Sequence, residues 1–81
     1  MIPGVDAVAQ VARNLLQARE RYGLTQEEVS DRSGVHATEI SRIENGQRDV
    51  QISTVFKLAK AFELTPGQFI DGDPARATDP V

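Results

Sequence analysis

The sequence contains no cysteine and a single histidine, His36. Disulfides, thiolate metal sites and cysteine nucleophiles are therefore excluded, and neither a His/Cys metal cluster nor a histidine-based triad can be assembled. A glycine-rich phosphate loop is also missing. Glu27, Glu28 and Asp31 read as a solvated helix face with a dipole-friendly placement rather than a cation site. Catalysis is not expected, nor is a cofactor, a metal or a small-molecule ligand. No apolar run approaches the ~20 residues that cross a bilayer. Met1-Ile2-Pro3-Gly4 shows no basic region followed by an apolar stretch, so no signal peptide is read there. The expectation is a soluble, cytoplasmic protein without a membrane. Tryptophan is absent and aromatics make up only 5% of the 81 residues, enough for one small core. A domain of this size is marginal alone and is expected to gain stability from what it binds.

Positive charge is also scarce: the formal net charge is −3. At first sight this argues against a nucleic-acid partner, whose phosphates must be neutralised. The distribution alters that reading. Residues 61–81 hold Glu63, Asp71, Asp73 and Asp79 against Arg76 alone, while residues 1–60 balance eight basic against eight acidic side chains. The surplus acid sits at the C-terminal end, so local placement decides the question.

What is present is helical. Val8, Val11, Ala12, Leu15, Leu16 and Tyr22 recur at helical spacing and predict a first helix over residues 6–22, closed by Gly23. The next helix starts share one grammar. In Leu24-Thr25-Gln26-Glu27-Glu28-Val29, Thr25 caps, Glu28 reaches back, and Leu24 staples to Val29. Val35-His36-Ala37-Thr38-Glu39-Ile40 repeats this with the poorer cap His36, and Leu64-Thr65-Pro66-Gly67-Gln68-Phe69 repeats it with Pro66 at the first helical position. Ser53 is expected to cap a further helix over residues 54–62 that buries Val55, Leu58, Ala59 and Phe62. No strand-like alternation and no internal repeat occur. Residues 1–5 and 72–81, rich in Gly, Pro, Asp and small side chains, read as mobile tails around one domain over residues 6–71.

The second helix, about residues 26–33, stops at Gly34, and the third, about residues 37–45, begins three residues later. Two short helices across a tight glycine turn cross steeply, as in a helix-turn-helix. Val29, Val35, Ile40 and Ile43 are placed to pin them together, with Ser30 small where they approach. By itself this pattern suits any small helical bundle.

Over residues 13–70 the chain closely resembles the Cro/CI-like, or XRE-type, helix-turn-helix family of phage repressors. The resemblance is carried by Arg19, Gly23, Leu24, Thr25-Gln26-Glu27-Glu28-Val29, Gly34-Val35, Ile40-Ser41-Arg42-Ile43-Glu44-Asn45-Gly46, Arg48 and Lys57-Leu58-Ala59-Lys60-Ala61-Phe62. Within that family the stretch His36 to Val50 is most similar to the controller proteins of restriction–modification systems. It departs from them at Glu39, where a tyrosine is common, and at Val50, where many relatives carry proline. Glu39 either completes a capping box with His36 or accepts a hydrogen bond from the cytosine N4 amino group.

The resemblance implies an all-α, compact five-helix bundle of the lambda repressor-like type. It implies sequence-specific binding of double-stranded DNA as a homodimeric transcriptional regulator, a repressor rather than an activator, on a pseudo-palindromic operator. The third helix would lie in the major groove, with Ala37, Thr38, Ser41 and Arg42 toward base edges. An arginine fork matches guanine O6 and N7, although Arg42 on an exposed helix face is also what a solvated charge looks like. Gln26 corresponds to a phosphate contact at the start of helix two, or simply initiates that helix. Asn45 and Arg48 match positions that touch the DNA backbone, while Asn45-Gly46 is equally a turn dipeptide. Arg19 and Glu44 match an internal ion pair that fixes the recognition helix. Phe62, Phe69 and Ile70 are candidates for the dimer surface or for plain core packing. The rival reading is an antitoxin or protein-binding adaptor using the same module.

Overall fold

The computed structural model describes residues 7–47 and 49–71. The expected tails at residues 1–5 and 72–81 lie outside the described residues, as does Arg48. Five helices follow in order: α1 (Ala7–Tyr22), α2 (Gln26–Ser33), α3 (Ala37–Glu44), α4 (Ile52–Ala61) and α5 (Pro66–Asp71). No strand occurs among the described residues, and no helix among them is long and apolar enough to cross a membrane.

The local rules read from the sequence operate at the helix ends. Thr25 accepts from the Glu28 N–H at 3.0 Å while the Thr25 N–H donates to Glu28 Oε1 at 2.8 Å, a complete capping box. Thr65 and Gln68 exchange the same two bonds at the start of α5, at 3.0 and 3.1 Å. His36 makes no side-chain cap, as a poor N-cap should not. The turn between α2 and α3 depends on Gly34, whose φ of 81° lies in the left-handed region and whose N–H closes α2 on the Ser30 carbonyl. At the end of α4 a non-glycine takes that role. Glu63 adopts φ 59°, and Leu64 N–H reaches back to the Ala59 carbonyl at 2.9 Å, a Schellman closure that offsets its strain.

Two boundaries differ from expectation. α4 begins at Ile52, with Gln51 in extended geometry as the cap position, rather than after Ser53. Its first bond runs from Val55 N–H to the Gln51 carbonyl at 3.0 Å, so Ser53 lies inside the first turn and its hydroxyl is not the cap. α3 ends one residue early, with Asn45 as its C-cap.

The core gathers one stripe from every helix: Leu15 and Ala18, Val29, Ile40 and Ile43, Val55, Leu58 and Ala59, and Phe69, joined by Val35 and Phe62 from the connections. Val29, Val35, Ile40 and Ile43 are all buried, so the expected pin between α2 and α3 is in place. Tyr22, Phe62 and Phe69 stack in series, with ring centroids 5.8 and 6.3 Å apart. The periodicity of α1 did not reveal Asn14, a buried polar residue. Its amide donates to the carbonyls of Phe69 at 3.0 Å and Ile70 at 2.9 Å, which ties the open C-terminal end of α5 to α1.

Candidate nucleic-acid interface

α3 holds its apolar residues, Ile40 and Ile43, against the core at 0% exposure. At 100° per residue the opposite face carries positions 37, 38, 41 and 42. Thr38 and Arg42 are exposed and Ala37 and Ser41 half-buried. These four line a shallow concavity of about 370 Å³ together with Gln26 from the start of α2. Five of the residues singled out in the sequence, from two helices, thus share one surface. A threonine, a serine and an arginine give it hydroxyl donors and acceptors and a planar cationic fork, the groups that read base edges.

Behind this surface stands an ion pair. Arg19 donates from Nε to Glu44 Oε2 at 2.6 Å and from Nη2 to Oε1 at 3.0 Å, a bidentate arrangement. Its remaining nitrogen, Nη1, holds the Leu24 carbonyl at 3.1 Å. The Glu44 side chain is 6% exposed. The hydrogen bond to Glu44 raises the Arg19 pKa above its ordinary value, burial opposing it and the Glu44 charge adding to it. One side chain of α1 therefore fixes both the end of α3 and the loop entering α2.

Gln26 joins the same network by donating from Nε2 to Glu44 Oε1 at 3.0 Å. Sequence reasoning assigned it to phosphate and missed this bond, which links residues far apart in the chain. One amide hydrogen remains for another acceptor. Asn45 is exposed at the C-terminal end of α3, where its N–H donates to the Ser41 carbonyl at 3.0 Å.

The three residues read either as a dimer surface or as core packing divide between the two. Phe62 is 4% and Phe69 1% exposed, so both are core residues of one chain, and of the three only Ile70, at 42%, is open to a partner. Among the described residues, the large apolar side chains left in water are Tyr22, Ile70, Ile52 and Phe56.

The sequence and the fold have counterparts. The helix-turn-helix family model matches residues 15–69. An uncharacterised HTH-type transcriptional regulator of Sinorhizobium fredii, y4dJ, is 41% identical over 61 residues, covering 75% of this chain and 79% of its own. The control protein C.SmaI of Serratia marcescens is 39% identical over 61 residues, covering 75% and 73%. Among solved structures, the restriction–modification controller protein C.Esp1396I, a tetramer on its natural 35 base-pair operator, superposes with a TM-score of 0.76. It is 25% identical, over 84% of this chain and 90% of that one. With the helix pair, its glycine turn, the exposed α3 face and the buried Arg19–Glu44 brace in place, the chain belongs to the XRE-type helix-turn-helix family of DNA-binding transcription regulators.

Proposed function

We propose that the protein is a homodimeric repressor that binds a pseudo-palindromic operator in the cytoplasm, with α3 of each protomer in the major groove. The observation that carries this reading is the shared surface of Ala37, Thr38, Ser41, Arg42 and Gln26. Ala37, Thr38, Ser41 and Arg42 read bases, with Arg42 on a guanine. Gln26, Asn45 and Arg48 contact the phosphate backbone. One helix makes too few base contacts for useful selectivity, which favours two-fold pairing on DNA. The tetrameric operator complex of C.Esp1396I supports an assembly of copies on one site. The test is selection of bound fragments from random duplex DNA, followed by footprinting. The expected result is two inverted half-sites about one helical turn, ~34 Å, apart. Recovery of unrelated sequences bound with equal affinity would overturn the proposal.

A further inference from the structure

Glu44 serves more than its ion pair. Its Oε2 accepts from Arg19 Nε at 2.6 Å, and its Oε1 accepts from both Arg19 Nη2 and Gln26 Nε2, each at 3.0 Å. The guanidinium fork holds the carboxylate in one plane, and a side chain only 6% exposed has little room to turn. A carboxylate accepts and never donates, so the Gln26 amide meets it by its nitrogen alone. The carbonyl end is excluded from that position, and one of the two flip states of the amide is removed.

We propose that Glu44 is a positioning residue for DNA binding: it fixes the Gln26 carboxamide so that nitrogen, not oxygen, meets a backbone phosphate. This role rests on the reading of Gln26 as a phosphate contact and names what sets the polarity of that contact. Phosphate and Glu44 are both pure acceptors, and the two Nε2 hydrogens can serve one each. Gln26 stands at the first position of α2, half-buried, on the wall of the concavity that Thr38, Ser41 and Arg42 line. Glu27 and Glu28 follow it in the same turn. A phosphate here already meets negative charge, and a carbonyl oxygen turned toward it would add a further repelling group. Amide polarity therefore decides whether Gln26 attracts the phosphate or opposes it.

The consequence is a relay across three helices. Arg19 on α1 orients Glu44 at the end of α3, and Glu44 orients Gln26 at the start of α2. A pair that only braced the fold would leave Gln26 a bystander. Glu44→Gln separates the two roles, because glutamine still gives Arg19 an oxygen but also carries an amide donor. Either end of the Gln26 amide can then face it, so the lock is lost while the position stays filled.

Nitrogen-15 spectra of the full chain without DNA test the lock by itself. One Gln26 side-chain N–H is expected downfield of the ordinary amide position, and Glu44→Gln is expected to return it there while α2 and α3 keep their helical shifts. Fluorescence anisotropy on the duplex selected by the parent then tests the role. Glu44→Gln is expected to weaken binding about three- to tenfold, the scale of one net hydrogen bond. Gln26→Ala in that background is expected to add less than about twofold, because the contact is already lost. In Gln26→Lys, whose ammonium has donors only, Glu44→Gln is expected to change affinity by less than about twofold. A purely structural role would weaken the parent and Gln26→Lys alike. Equal losses in those two, or a Gln26 amide at its ordinary position in the parent, would overturn the proposal with the DNA reading intact. A parent that selects no duplex would overturn both.

Discussion

Glu44→Ala removes the acceptor on which three side-chain donors converge: Arg19 Nε and Nη2 and Gln26 Nε2. Breaking a buried pair by removing one partner costs ~3–5 kcal/mol, because the other charge is left without compensation. Here Arg19 is 20% exposed and keeps its bond to the Leu24 carbonyl, so partial rehydration lowers the expected loss to about 2–3 kcal/mol. For a domain of this size that lowers Tm by about 10–20 °C. Arg19→Met combined with Glu44→Met removes both charges and is expected to regain much of the stability. It is not expected to regain specific DNA binding, because the brace between α1, the loop entering α2 and the end of α3 is gone. Thermal unfolding and mobility shift on the selected operator separate the two effects. A Glu44→Ala loss below about 0.5 kcal/mol would show the pair to be a solvated surface bridge. A double variant that binds the operator like the parent would show that the pair does not orient α3. The raised pKa of Arg19 makes its contribution complete below the ordinary arginine value and lost only in strongly alkaline solution, so on the arginine side stability is flat through neutral pH.

Arg42→Ala is expected to cost roughly 1–3 kcal/mol and to relax preference at one base pair per half-site. Arg48→Ala is expected to weaken binding nearly uniformly and to lower the salt slope by about one per contact; a mobility-shift series across salt and single-base variants exchanges these assignments if the helix docks differently. Glu39→Gln is expected to leave stability nearly unchanged, since glutamine has nearly the same shape and hydrogen-bonding reach and His36 makes no side-chain cap that depends on it, and to strengthen binding to all sequences alike. A changed preference at one base pair would instead make Glu39 a base reader. Gly34→Ala places a Cβ where nothing lies within 4 Å, so its cost comes from the backbone at φ +81° alone, about 1–2 kcal/mol by denaturant unfolding. A loss of only a few tenths would mean the turn relaxes out of the left-handed region.

The sequence by itself determined the helices and most of their ends, because those depend on groups within four residues of one another. Thr25 with Glu28, Thr65 with Gln68, and Gly34 after Ser33 act locally, and the structure shows each of them in the geometry their spacing required. The exposed face of α3 was legible for the same reason, since helical period places positions 37, 38, 41 and 42 opposite Ile40 and Ile43. The Arg19–Glu44 pair was legible through family resemblance, not through any local rule. Where the local signal was weak, as at Ser53, the helix start was misjudged, and Gln51 took the cap position when its carbonyl accepted the first bond of α4. Tertiary structure alone decided which apolar residues are spent on the chain's own core. Phe62, Phe69 and Phe56 carry the same side chain, but the first two are closed in by Tyr22 and α1, and Phe56 is turned away from any neighbour that would cover it. It also decided the partners of Asn14 and Gln26, whose amides bond to groups on other helices. Hydrophobic period gives the face of a helix, but burial depends on what the rest of the chain brings against that face, and that is a property of the assembled fold.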